Sequence, residues 1–270
     1  MDFFNVVSVE DGRKMMLEAF KEYSVETEEI NILEATDRIL AEDIVAKENV
    51  PEFNRSTVDG YAVKSSDTHG ASESIPSFLT LLGEIRMGEE ANIKLSNGEA
   101  IYVPTGAMIP EGSDAVLMIE YAEKLDDSTL MVYRPLSVGE NIILKGDDIK
   151  IGEKIIEKGK RLSSQDIGVL AALGISNIKV YRKPRFFIIS TGDEIVDIGE
   201  ELTMGKVRDI NSYALHSLIV KLGGEVTGKI IVRDDFELLR ESVEKGLELS
   251  DIIIISGGSS VGTRDYTSKV

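Results

Sequence analysis

Two unbroken apolar runs near the end of the sequence, Phe186-Phe187-Ile188-Ile189 and Ile252-Ile253-Ile254-Ile255, constrain the fold more than any other feature. A strand with water on one face alternates apolar and polar residues. A run without alternation belongs to a strand buried on both faces, as in a parallel sheet. The sequence between the runs supplies the covers. Asn211 is expected to cap a helix that carries Ala214, Leu215, Leu218, Ile219 and Leu222 and is closed by Gly223. Val226 to Ile231 reads as a second strand, and Asp235 caps a helix with Leu239, Val243 and Leu247. Strand, helix, strand, helix, strand predicts a largely parallel sheet with helices on both faces. Such sheets bind ligands beyond the carboxyl ends of their strands.

Each of those ends runs into small polar residues and carboxylates. They are Ser190-Thr191-Gly192-Asp193-Glu194, Arg233-Asp234-Asp235, and Ser256-Gly257-Gly258-Ser259-Ser260-Val261-Gly262-Thr263-Arg264-Asp265. Glycine lets the backbone approach a ligand closely and aims consecutive N–H groups at an oxyanion. Converging carboxylates repel each other and any phosphate unless a hard cation sits between them. Mg2+ suits that place, held by one or two carboxylates plus ligand phosphates. Singly, Thr191 to Glu194 is an ordinary turn and Asp235 an ordinary cap. Their coincidence at three parallel strand ends points to a site for a phosphorylated ligand with Mg2+. The two histidines, His69 and His216, lie far apart and suggest neither a metal site nor a Ser–His pair.

Upstream the texture differs. Ser8, with Asp11 three residues on, caps a helix in which Val9, Met16, Ala19 and Phe20 recur at helical spacing. From Val50 the apolar runs shorten to Leu79–Leu82, Ile101–Val103, Ala115–Ile119 and Leu130–Tyr133, separated by turn signals. This is a small all-β unit, with a barrel as one form it could take. Ser163 and Asp166 then start a helix with Ile167, Leu170, Ala171 and Leu173 inward, ended by Gly174, and a strand follows near Ile178–Tyr181. A length of 270 residues allows two or three domains. There is no cysteine, which excludes disulfides, zinc–thiolate sites and thiol catalysis. A net charge of −18 argues against nucleic acid and anionic membranes as partners. An anionic ligand must therefore be held by local backbone N–H groups or a bound cation. No run approaches the roughly 18 apolar residues of a membrane span, and the first residues do not resemble a secretion signal. The expected location is the cytoplasm.

Six segments together resemble the molybdopterin molybdenumtransferase family, which includes bacterial MoeA and the E domain of gephyrin. They are Ser56 to Val63, the Thr105-Gly106 loop, Gly146-Asp147-Asp148-Ile149, Ser190 to Glu194, Arg233-Asp234-Asp235, and Ser256 to Thr267. The resemblance implies a multi-domain α+β and α/β subunit that forms a homodimer. Residues 49–143 would be a β-rich insert domain, and 27–48 with 144–180 a linking domain. Residues 181–270 would be a parallel-sheet α/β molybdopterin-binding domain, with the helix of residues 1–26 packing on it. The implied reaction joins adenylylated molybdopterin and molybdate to give molybdenum cofactor and AMP, with Mg2+. Asp59, Thr105, Asp148, Glu194, Asp234 and Asp265 match the family's functional positions, and Glu194 and Asp234 would organise the metal. Thr191, Gly192, Ser256, Gly257, Gly258, Ser259 and Gly262 would cradle the cofactor.

Family members continue past Asp265, whereas this sequence ends at Val270. The α/β domain is therefore expected to be incomplete and the chain alone to have little activity. Molybdopterin adenylyltransferases and molybdoenzymes are the partners the family implies. Two other readings fit parts of the sequence. One is a molybdopterin adenylyltransferase-like pterin-binding protein, which would lack the 49–143 insert. The other is a non-enzymatic, gephyrin-like scaffold.

Overall fold

The structure, a computed structural model, describes residues 7–21 and 23–257. Helix α1 (Val9–Ala19) precedes strand β1 (Thr27–Asn31). The middle of the chain carries β2 (Gly60–Val63), β3 (Ser77–Glu84), β4 (Glu99–Val103), β5 (Ala115–Met118), β6 (Ala122–Lys124) and β7 (Thr129–Val132). Next come α2 (Ser164–Ala172) and β8 (Asn177–Tyr181). The last part runs β9 (Arg185–Thr191), α3 (Asn211–Leu222), β10 (Glu225–Val232), α4 (Phe236–Leu249) and β11 (Ile252–Ser256). The chain divides into two compact units. One comprises Met1–Glu42, Lys158–Ile167 and Ser176–Val270; the other comprises Asp43–Glu157 and Gly168–Ile175.

The second unit is built on a six-stranded sheet in the order β5-β2-β4-β3-β7-β6. Its pairs are antiparallel except β3 with β4. The four apolar runs noted above coincide with β3, β4, β5 and β7, with Ile119 and Tyr133 just past the ends of β5 and β7. The barrel is not formed, because β5 and β6 end the strand order instead of pairing with each other. Alternation along the strands feeds two cores. Tyr61, Val63, Leu79, Leu117 and Leu130 enter one, while Ala62, Ile101, Val103 and Val116 enter the other. Strand β2 has no wet face, and all four of its residues are buried. A Cβ on Gly60 would overlap the carbonyl oxygen of Leu117, so only glycine lets β2 lie this close to β5.

In the first unit, β1 and β8 pair antiparallel from Thr27↔Tyr181 to Asn31↔Asn177. The expected parallel sheet is present in the order β10-β9-β11. Phe187 and Ile189 pack with Val232 and with Leu239 of α4. Ile188, which alternates with them, is buried on the opposite side, where α3 packs. Burying a side chain such as Leu239, 3% exposed, stabilises the unit by about 1.5–3 kcal/mol. Asp251, one residue before β11, fastens this sheet to the segment after β8. Its carboxylate accepts from both terminal nitrogens of Arg182 at 2.9 Å and from the backbone N–H of Arg185 at 2.7 Å.

Local spacing predicted three helix caps correctly. Ser8 Oγ accepts from the N–H of Asp11, and Asp235 accepts from the N–H of Leu238. Ser163 and Asp166 cap reciprocally: Ser163 Oγ accepts from the Asp166 N–H, and the Asp166 carboxylate accepts from the Ser163 N–H. The fourth expectation is corrected. Asn211 does not cap α3; Ile210 stands at the N-cap, and the capping carboxylate comes from Asp209 just before it, which accepts from the N–H of Ser212 at 3.0 Å. The amide of Asn211 is drawn away to Ser256 Oγ, 2.8 Å distant on β11. The expected apolar faces are also only partly used. Ile219 and Leu239 are buried, but Leu218, Leu222 and Leu247 are exposed. Helix α3 packs on β9 and the edge strand β10, and Leu218 and Leu222 lie on its exposed flank. The apolar repeat of α1 does form a helix, yet none of its residues is buried.

Candidate functional site

Three strand ends meet at one rim of the parallel sheet. Thr191 on β9 is level with Val232 on β10, and Ser190 is level with Ser256 on β11. The N–H of Gly192 donates to the carbonyl of Val232 at 3.1 Å, which holds the turn after β9 against β10. Gly257 has φ +128°, and a Cβ there would overlap the Thr191 carbonyl oxygen and stand 2.7 Å from Thr191 Oγ1. Glycine at 257 therefore permits a turn that lies directly on β9. Thr191 is buried beneath it, whereas Glu194 and Asp234 are exposed beyond the ends of β9 and β10. Glu194 is held through its backbone, where its carbonyl accepts from the N–H of Val207. Gly258, Ser259, Gly262 and Asp265 lie outside the described residues.

Asp209 underlies this rim and was missed in the sequence. It is 4% exposed, and its carboxylate accepts from Ser190 Oγ at 2.9 Å as well as from the Ser212 N–H. Burial alone would raise its pKa, but hydrogen bonds from Ser212 and Ser190 and the charge of Lys229 outweigh that and lower it. The readable signal was the spacing to Ser212, the same three residues that separate Asp235 from Leu238. Through Ser190 and Asn211, this short segment ties the ends of β9 and β11 together. Beside it a cleft of about 270 Å³ is lined by Asp197, Asp209, Ser212 and Lys229, among others. Lys229 lies 3.3 Å from the centre of the Tyr213 ring and 3.6 Å from Asp197. Burial opposes its charge, but Tyr213 and Asp197 more than compensate and raise its pKa.

The upstream motifs form a second cluster, within the other unit. Asp59 Oδ1 accepts from both the N–H and the hydroxyl of Thr105, at 2.7 and 3.0 Å. Arg55 and Ser56 run between two loops. They pair with Ile143 and Ile142 on one side, and Arg55 bridges to Met108 on the other. Ser56 fixes the second loop by accepting from the Gly106 N–H and donating its own N–H to Ala107. Asp148 is exposed, 3.9 Å from the Arg55 guanidinium. Three segments far apart in sequence, around residues 59, 105 and 148, are thus fastened to one two-residue strand.

Among the described residues, no set of three or more His, Cys, Asp or Glu is placed to hold a metal ion. The rim offers instead two exposed carboxylates, Glu194 and Asp234, after neighbouring strands. That donor set fits Mg2+ bound jointly with ligand phosphates, not a cage formed by protein alone. No helix among the described residues is long and apolar enough to cross a membrane.

Comparison with known protein families finds two matches along this chain. Residues 7–174 match the MoeA N-terminal region (domain I and II), and residues 187–270 match a probable molybdopterin binding domain. A putative molybdopterin biosynthesis protein of Methanocaldococcus jannaschii is 38% identical, over 97% of this chain and 66% of its own length. A molybdopterin molybdenumtransferase of Staphylococcus epidermidis is 35% identical, over 98% of this chain and 62% of its own length. The crystal structure of a molybdopterin biosynthesis MoeA protein from Pyrococcus horikoshii superposes with a TM-score of 0.85 at 40% identity, covering 98% of this chain and 66% of that one. The chain thus spans just under two thirds of the length of these relatives. With the first match extending over well more than half of its residues, the chain belongs to the MoeA family.

Proposed function

We propose that this chain carries the pterin-binding and upstream parts of a molybdopterin molybdenumtransferase. The reaction would insert molybdenum from molybdate into adenylylated molybdopterin and release AMP. The observation that carries this reading is the rim where Thr191, Gly192, Ser256 and Gly257 meet beside the exposed carboxylates of Glu194 and Asp234. Backbone N–H groups at Asp193 and Glu194 and after Ser256 would receive the phosphates, with Gly192 setting the turn and Gly258, Ser259 and Gly262 continuing the cradle. Glu194 and Asp234 would hold Mg2+, whose bound charge neutralises the pyrophosphate link. Asp265 would contact the ligand. Molybdenum would be taken up by the sulfurs of the pterin itself, so the absence of cysteine raises no objection.

The same reading includes a cytoplasmic homodimer in which Asp59, Thr105 and Asp148 of one copy serve the cleft of the other. Residues 27–48 and 144–180 would act as the linking domain. A molybdopterin adenylyltransferase would supply the substrate, and molybdoenzymes would receive the product. The test is molybdate-dependent AMP release from adenylylated molybdopterin, with retention of the fluorescent pterin measured in parallel and a full-length relative as positive control. We expect the chain to retain the pterin and Asp234→Ala to lower AMP release. A chain that neither retains pterin nor releases AMP refutes the reading.

A further inference from the structure

The upstream cluster contains a cation whose hydrogen-bonding capacity is unused. A guanidinium offers five N–H donors, and an arginine with a purely structural role usually spends them on carboxylates or carbonyls. Arg38 and Arg182 do so in this chain, donating to Tyr181 O and Glu28 and to Asp251 respectively. Arg55 does not. Its Nε is buried and has no partner among the described residues. Its contact with Asp148, Nη2 to Oδ2 at 3.9 Å, is too long for a hydrogen bond. The side chain is 38% exposed, so solvent reaches the terminal nitrogens. The neighbouring cation, Lys145, is already committed, with Nζ 2.8 Å from Glu52.

The position of Arg55 gives these donors a use. Its backbone bridges to Met108, three residues from Thr105, and pairs with Ile143, five residues from Asp148. Thr105 satisfies one oxygen of Asp59, and Asp59 and Asp148 are both exposed. Two exposed carboxylates repel a phosphate unless a cation accompanies them, and a guanidinium matches two oxygens of one oxyanion at once.

We infer that Arg55 is an oxyanion-binding residue of the cluster formed by Asp59, Thr105 and Asp148. Its ligand is a phosphate-type or molybdate-type oxyanion, received by the solvent-reached terminal nitrogens of the guanidinium, which make no hydrogen bond to the described residues. Asp148 orients the guanidinium from the side through their loose ion pair. This inference rests on the reading that these upstream loops handle ligand.

The experiment uses the whole chain at low ionic strength and two probes, inorganic pyrophosphate and molybdate, each titrated calorimetrically. Arg55→Gln should weaken binding of at least one probe about ten-fold or more, with Arg55→Lys intermediate and the thermal midpoint unchanged. The probe that loses affinity identifies the oxyanion. Pterin retention by the same variants separates the two levels of the argument. If Arg55→Gln binds both probes as tightly as the wild type while pterin is retained, the role of Arg55 is refuted and the proposed function stands. If the wild-type chain binds neither probe, the inference fails. If the wild-type chain does not retain pterin, the proposed function fails and takes the inference with it.

Discussion

The clamp between Arg182 and Asp251 yields a prediction whose size follows from the structure. The Asp251 side chain is 12% exposed and that of Arg182 is 22% exposed. Arg182 donates two parallel hydrogen bonds to it, and together with the Arg185 N–H this overcomes the effect of burial. The carboxyl pKa falls from its ordinary 3.8 to about 2. At about 1.4 kcal/mol per pKa unit, that difference corresponds to about 2 kcal/mol of folding stability at neutral pH. The sign follows from proton binding. Between pH 4 and 2 the unfolded chain holds the extra proton, so this contribution is complete above pH 4 and disappears as the pH falls towards 2. Asp251→Asn should therefore cost about 2 kcal/mol at pH 7, and the gap to wild type should close at low pH. The chain has no tryptophan, so urea unfolding would be followed by far-ultraviolet circular dichroism. A deficit below about 0.5 kcal/mol at pH 7, the size of an ordinary surface substitution, would refute the reasoning. So would a deficit that is the same at pH 7 and pH 2.5.

Two further outcomes concern the rim. Gly257→Ala should destabilise the unit by about 1–3 kcal/mol and abolish pterin retention, because the added carbon meets backbone and not a movable side chain. Differential scanning calorimetry and the retention assay check both halves. Asp209→Asn removes the charge that accepts from Ser190 and Ser212; it should cost about 1.5–3 kcal/mol and weaken pterin retention, measured by urea unfolding and the same assay.

Features carried by neighbouring residues were legible in the sequence. Apolar runs gave the parallel strands, and three-residue spacings gave the caps at Ser8, Ser163 and Asp235. What escaped depends on distant partners. Asn211 looks like a cap locally, yet its amide serves Ser256, 45 residues away, and the capping carboxylate is that of Asp209. The openness of the six-stranded sheet could not be read from its runs either, because closure depends on whether the two end strands meet. The strand-end loops were visible as candidates from residue type alone. The pairing of Asp59 with Thr105 was not, since it requires strands β2 and β4 to lie side by side.

The dry burial of β2 changes how its sequence would drift. Gly60, Tyr61, Ala62 and Val63 are packed on both faces, so selection for folding alone would preserve them whether or not the protein has a catalytic task. Asp59, one residue earlier, is exposed and contributes to no core. A descendant that kept the fold but abandoned the chemistry would retain the four-residue stretch and be free to lose the carboxylate. In comparing lineages, therefore, persistence of the buried stretch measures ancestry, while persistence of Asp59 would need a reason other than the core.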